Sequence, residues 1–285
     1  MKILLTGTSG QVGAHVLPLL REHEVIAPTR AQLDLTNANA VRAFIKEATP
    51  QLVINPAAYT AVDKAEGEKD AAYAINAQAP EAMAYACKTI GAPLIHFSTD
   101  YVFDGCATQP WTESDVARPV SVYGASKRAG EEAIVASGCA HIILRTSWVY
   151  SALGKNFLLT MQRLAKEKDF LRVVGDQYGT PNWAGTLAQA VAYLTQIPAA
   201  QREQFSGIFH LNSHGATTWH GFATAIVAAG RRSIPVHEIT TAQYPTPAAR
   251  PAYSVLNGGK FERTFGLRMP YWGDALAQCL KAQQI

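Results

Sequence analysis

Five short apolar runs in the first half of the chain, Lys2–Thr6, Glu24–Pro28, Gln51–Asn55, Pro93–Phe97 and His141–Arg145, alternate with stretches of helical periodicity. Runs of this length predict strands, and strands separated by helices predict strand–helix–strand units in a parallel sheet. The intervening helices are expected over Gly10–Arg21, from a Thr36 cap to about Ala48, over Glu68–Thr89 with an interruption at Pro80, and over Ser121–Ser137. The fold class read from this rhythm is α/β, a Rossmann-type doubly wound parallel sheet.

After Arg145 the rhythm loosens. A helix at Trp183–Leu194, a strand at Gly207–Leu211, a helix after Thr217 and a last helix ending near Ala282 are still expected. The proline-rich stretch Gln243–Leu256 reads as an extended loop laid across the surface. This predicts a dinucleotide-type domain over residues 1–150 and a smaller, partly interleaved C-terminal substrate-binding region over 151–285. Elements at about 182–205 are expected to return to the first domain.

Composition narrows the function classes. The 285 residues are 48% hydrophobic and only 16% charged, with a net charge of +3 and no block of one sign, which argues against a nucleic-acid partner. Cys87, Cys106, Cys139 and Cys279 are too scattered for a disulfide framework or a structural zinc site. No segment reaches the roughly 18 apolar residues of a membrane span, and the expected location is cytoplasmic.

Gly7-Thr8-Ser9-Gly10-Gln11-Val12-Gly13 follows the first strand and opens the first helix. That position matches a dinucleotide cradle, in which glycines turn the backbone tightly and the helix start offers free N–H groups to phosphate. Arg30 closes the second strand, where a cation holds a 2′-phosphate and so favours NADPH, with NADH possible. Asp34 has two readings, as a partner of the adenine amine with Leu35 on the ring, or as part of the turn before Thr36. Asn55-Pro56-Ala57-Ala58-Tyr59-Thr60 leaves the third strand at the sheet edge that binds ligands.

Tyr123 and Lys127 stand four residues apart, which places a phenol and an ammonium on one helix face. A tyrosine acts as acid or base near neutrality when a positive charge lowers its pKa, and Lys127 is the candidate charge. Ser98 and Thr99 end the fourth strand on the same side and are candidates to polarise a substrate oxygen.

With these motifs the chain resembles the extended short-chain dehydrogenase/reductase family. Within it the match is to members that reduce dTDP-linked 4-keto-6-deoxysugars, through Thr60-Ala61-Val62-Asp63-Lys64-Ala65-Glu66, Ser98-Thr99-Asp100-Tyr101-Val102-Phe103, Arg145-Thr146-Ser147-Trp148-Val149-Tyr150 and Asp176-Gln177-Tyr178-Gly179. The resemblance implies NADPH-dependent reduction of the 4-keto group of dTDP-4-dehydro-L-rhamnose. It implies Tyr123 as proton donor, Lys127 as ribose ligand and pKa-lowering cation, Thr99 as hydrogen-bond partner, and Ala58, Tyr59 and Thr60 as cofactor contacts. Val62, Thr99, Asp100, Tyr101, Tyr123 and Trp148 are the implied substrate contacts.

A non-catalytic nucleotide-binding subunit and a nucleotide-sugar epimerase or dehydratase are the alternatives. Relatives that dimerise through magnesium carry acids where this chain has His15 and the acid-free stretch Asn182–Thr195, so no metal is expected; a homodimer remains an expectation. Tyr101, Phe103 and Trp111 suggest a loop that closes over substrate.

Overall fold

The apolar runs become strands of one sheet in the computed structural model, which describes every residue except 199, 200, 202, 203, 231, 284 and 285. They are β1 (Lys2–Leu5), β2 (Glu24–Ile26), β3 (Leu52–Asn55), β4 (Leu94–Thr99) and β5 (His141–Thr146), joined by a sixth strand at Gly207–His210. From one edge the order is the sixth strand, β5, β4, β3, β1, β2, with every pairing parallel. β3, β4 and β5 are buried throughout, which explains why they read as continuous apolar runs rather than alternating ones.

Alternate side chains of each strand serve two cores. Ile3, Leu5, Ile54 and Ile95 face Val16, Leu20, Leu187 and Leu194 on one side of the sheet. Leu4, Val53, Leu94 and Ile143 face Val41, Ile45, Met83 and Ile134 on the other. Truncating any of these to alanine is expected to cost about 2–5 kcal/mol. Strand order departs in opposite directions from β1, toward β2 and toward β3, and a crevice therefore opens beyond the carboxyl ends of β1 and β3.

Helix boundaries differ from the sequence expectation in three places. The first helix, α1 (Gln11–Val16), gives way to a 3₁₀ turn at Leu17–Leu20, where Pro18 lacks the N–H that would continue it. α2 (Ala38–Ala48) is capped by Asn37, not Thr36. The Asp34 carboxylate accepts from Thr36 N at 3.0 Å and keeps Thr36 in the preceding turn, so the Asn37 side chain is the one that accepts from Ala40 N, also at 3.0 Å.

Pro80 does not interrupt the helical segment around it. Lys69–Tyr73, a π-helical turn at Ala74–Gln78 and Ala79–Ile90 run on continuously. The wider turn relieves the clash between the proline ring and the carbonyl four residues before it, that of Asn76. That carbonyl abuts Gly130 of the Val122–Ser137 helix, where an added Cβ would lie 2.1 Å away.

Beyond β5 the chain builds a second apolar cluster from Tyr150, Leu158, Leu171, Trp183, Phe222 and Leu276. Paired short strands frame it: Val149–Tyr150 with Asn182–Trp183, Leu171–Val174 with Val236–Ile239, and Tyr178–Gly179 with Thr217–Thr218. The helix Ala184–Gln196 instead buries Leu187, Val191 and Leu194 against the main sheet.

Gln243–Leu256 is not simply laid across the surface. Tyr244 is exposed, but Ala248 and Ser254–Leu256 are buried. Backbone pairing substitutes for an amphipathic pattern there: Trp111 N donates to Val255 O at 2.9 Å and Ser254 N to Tyr178 O at 2.8 Å. Among the described residues no helix is long and apolar enough to cross a membrane.

Candidate active site

The glycine-rich turn is shaped by close backbone approaches. Gly7 has φ +63°, and a Cβ there would lie 2.9 Å from the Ala57 backbone, so neither the conformation nor the space admits a larger residue. A Cβ on Gly13 would fall 2.2 Å from Gly7 O. Gly13 therefore packs α1 against the Gly7–Thr8 turn and, unlike Gly7, Gly10, Gln11 and Val12, does not line the cleft above it.

That cleft has a volume of about 770 Å³ and runs from the α1 amino end to Tyr123. The first N–H groups of a helix have no partner within it, so Gln11 and Val12 bring free donors to this wall. Arg30, Asp34 and Leu35 line one end, together with Leu33, which the sequence did not single out. Arg30 lies four residues past the end of β2 rather than closing it. Both readings of Asp34 share one geometry: hydrogen bonds from Thr36 and then the Arg30 charge hold its carboxyl below the usual range, and it still borders the cleft.

Pro56, Ala57, Ala58 and Thr60 line the middle of the cleft, but Tyr59 does not. Its hydroxyl donates to Glu68 Oε2 at 2.6 Å, which draws the ring away. Its backbone is held instead by Asn76, which accepts from Tyr59 N at 2.8 Å and donates to Tyr59 O at 3.0 Å and to Ser126 Oγ at 3.0 Å. Asn76 thus ties the cleft loop to the helix carrying Tyr123 and Lys127. The signal available in the sequence was an asparagine inside a helical stretch, where its propensity is poor.

At the other end the Ser121 side chain caps the Val122–Ser137 helix, accepting from Gly124 N at 3.2 Å. A Cβ on Gly124 would lie 2.1 Å from Tyr101 O, so glycine lets this helix settle on the turn after β4. Tyr101 then meets Tyr123 edge-on, with ring centroids 5.8 Å apart. Thr99 hydrogen-bonds Tyr123 and also lies 3.0 Å from Asp100 Oδ1, to which it donates. Burial pushes the Tyr123 hydroxyl up to about 12 against the lowering effect of Thr99. Burial likewise lifts the Asp100 carboxyl to about 7.

Lys127 is anchored to β4. Its ammonium donates to Phe97 O at 2.6 Å and sits 3.2 Å from His96 Nε2. Burial lowers its pKa to about 8, opposed by Glu131 one turn further along. Burial would raise Glu131 in turn, but a bidentate pair with Arg145 at 2.7 and 2.8 Å, helped by Arg128, holds it below the usual range.

The remaining sugar-side candidates stand off the main cleft. Val62 opens the short Val62–Ala65 helix, next to Asp63, which pairs with Arg250 at 2.8 Å. Trp148 adopts φ +43°, a costly conformation for a bulky residue, and stacks on Trp219 with centroids 3.6 Å apart. Gly179 leaves room for it, since a Cβ there would lie 2.4 Å from the indole. Phe103 and Trp111 do not form a free loop: they stack on each other at 4.5 Å and pack with Leu256.

A family model described as RmlD substrate binding domain matches residues 1–285. The chain belongs to the RmlD substrate-binding domain family. The dTDP-4-dehydrorhamnose reductase of Burkholderia thailandensis is 42% identical to it, over 99% of this chain and 98% of that protein. The solved dTDP-4-dehydrorhamnose reductase of Clostridium acetobutylicum superposes with a TM-score of 0.94 at 40% identity, covering all of both chains. That of Bacillus anthracis, solved in complex with NADP, gives 0.93 at 34% identity over 99% of each. In this RmlD-family chain the glycine turn, Ala57, Ala58, Ser98, Tyr123, Lys127 and Thr146 all border one cleft.

Proposed function

We propose that the chain catalyses NADPH-dependent reduction of the 4-keto group of dTDP-4-dehydro-L-rhamnose, giving dTDP-L-rhamnose. The observation that carries the reading is the placement of a protonated Tyr123 hydroxyl beside Thr99, at the end of a cleft that begins at a helix-opening glycine turn. Relatives of this name at about 40% identity over the full length support the substrate.

Several features of the cleft fit a dinucleotide. Its reacting end holds the Ser98 and Thr146 hydroxyls, both buried, and that of Thr146 has no hydrogen-bond partner in the protein. At the α1 end, Gly7 lets the turn close on the Ala57 backbone, and Gln11 and Val12 supply donors for a pyrophosphate. Arg30 would hold the 2′-phosphate, with Asp34 and Leu35 at the adenosine end, Ala58 and Thr60 along the middle and Lys127 at the nicotinamide ribose. Bound NADPH supplies the hydride that adds to carbon 4.

Tyr123 then protonates the oxygen at carbon 4, a role for which a pKa near 12 keeps it loaded at neutral pH. Thr99 orients that hydroxyl. Asp100, Tyr101, Val62 and Trp148 would position the sugar nucleotide. The strained, stacked Trp148 supports this assignment, because backbone strain of this kind persists where surrounding structure and function require it. On the same reading residues 1–150 bind cofactor and residues 151–285 chiefly bind substrate.

The test is NADPH consumption by purified protein supplied with dTDP-4-dehydrorhamnose. One NADPH oxidised per sugar reduced is expected, which an epimerase or a binding subunit would not give. Tyr123→Phe is expected to lower the rate by about 10²–10⁴-fold while binding NADPH normally. No turnover by the wild type defeats the reductase reading, and a fully active Phe variant defeats the acid role.

A further inference from the structure

Two buried side chains that do not line the cleft, His96 and Asn55, connect two that do, Lys127 and Thr6. Lys127 Nζ is 3.2 Å from His96 Nε2, His96 Nδ1 is 3.0 Å from Asn55 Nδ2, and Asn55 Oδ1 accepts from Thr6 Oγ1 at 2.6 Å. The row crosses β4, β3 and the end of β1. None of the four residues is more than 2% exposed, so bulk water does not substitute for any of these bonds.

We propose that His96 is a positioning residue for Lys127, a neutral imidazole whose Nε2 accepts from the ammonium and holds it charged within the cleft. The proposal rests on the reductase reading of Lys127. An ammonium offers three donors and no acceptor, so Nε2 has to be the accepting nitrogen and the ring proton belongs on Nδ1. The Nδ1–H requires an acceptor, so the proposal turns the Asn55 amide over, an exchange of two nearly isosteric atoms that brings its oxygen to His96 and its nitrogen to Thr6 Oγ1. With Lys127 charged, that arrangement gives every group in the row a partner. Burial and the Lys127 charge keep His96 well below its ordinary pKa, so the acceptor persists at working pH.

Of the ionisable groups on the Lys127 helix, Glu131, itself paired to Arg145 of β5, stands one turn further along, and Tyr123, which Asp100 after β4 faces, one turn earlier. Of these Glu131 favours the ammonium, and it stays in place when His96 is changed.

The experiment compares wild type, His96→Met and His96→Gln through the pH dependence of NADPH affinity, followed by fluorescence, and of kcat/KM. The affinity readout requires no sugar substrate, so failure of the reductase reading appears as a wild type without turnover, separately from failure of this proposal. Methionine offers only a weak acceptor, and both alkaline limbs are expected to begin about one pH unit lower, an about fivefold loss near pH 8 that approaches about tenfold above pH 9. Glutamine restores an oxygen acceptor and is expected to return the limbs to their wild-type position. A structural role alone would lower the melting temperature of the Met variant and leave the limbs in place, which overturns the proposal. Nitrogen-15 spectra of the wild-type protein, with His96 assigned from the Gln variant, are a second test that does not depend on the Met variant folding. The Nδ1–H neutral tautomer is expected, and an Nε2–H tautomer or an imidazolium overturns it.

Discussion

Replacing Asp100 by asparagine exchanges a buried ionisable group for a neutral one of the same shape, just where β4 ends. The residue is 2% exposed, and burial lifts its pKa from 3.8 to about 7 against hydrogen bonds from Ser254 and Thr99. At about 1.4 kcal/mol for each tenfold change in proton affinity, that difference amounts to about 4 kcal/mol. The folded protein keeps a proton that the unfolded chain releases. The stabilisation is therefore complete below pH 3.8 and is lost as pH rises through about 7. Asparagine keeps an oxygen toward Thr99 and does not ionise. Its new N–H groups cost about 1–3 kcal/mol where they lack acceptors, so the variant is expected to match or fall below wild type near pH 4 and to exceed it by about 1–3 kcal/mol near pH 8. Urea unfolding of both proteins across this range, without ligands, measures the difference directly. A gap that stays flat with pH, or one that favours the variant more at acid pH, would refute burial of the carboxyl as the cause.

Other perturbations test separate parts of the site. Arg30→Gln is expected to raise the KM for NADPH about 10- to 100-fold and to leave that for NADH unchanged, as suits loss of a charged contact to the 2′-phosphate; equal changes with both cofactors would remove that role. Gly13→Ala brings a methyl group to 2.2 Å from Gly7 O, and the displacement of α1 should lower stability by about 1–3 kcal/mol and weaken NADPH binding together, so a normal melting curve with normal affinity would count against the packing argument. Glu131→Gln leaves Arg145 buried without its bidentate partner, with an expected loss of about 3–5 kcal/mol in denaturant; a loss below about 1 kcal/mol would show that the pair is not needed.

The elements that sequence pattern located are those whose burial is simple. β3, β4 and β5 are covered on both faces, so all their positions are apolar or packed, and a run of Val, Ile and Leu suffices to find them. Gly7 was legible because a strand-to-helix turn that meets Ala57 admits nothing larger. Asn76 was not legible, because its use depends on a π-helical turn, and that turn reflects a tertiary contact with Gly130 as well as the position of Pro80. His96 lies between Ile95 and Phe97 in β4, and its contact is with Lys127, thirty-one residues away in sequence. The segment before Leu256 pairs by backbone atoms, which leave no side-chain signature.

Helix spacing gave the pairing of Tyr123 and Lys127 but not the direction in which the ammonium points. Phe97 O and His96 hold it, and burial shifts the two groups in opposite senses, Tyr123 up to about 12 and Lys127 down to about 8. At pH 7 roughly one molecule in 10⁵ would hold a tyrosinate. A base that starts an oxidation is scarce under those conditions, whereas an acid that completes a reduction is always present. Ionised Asp100 reinforces the asymmetry, since its charge raises Tyr123 further. Asp100→Asn should therefore move Tyr123 toward its ordinary value and lower the pH at which NADP-dependent oxidation accelerates. The pH profile of kcat/KM for oxidation tests this, and a profile that stays in place would separate Asp100 from the acidity of Tyr123.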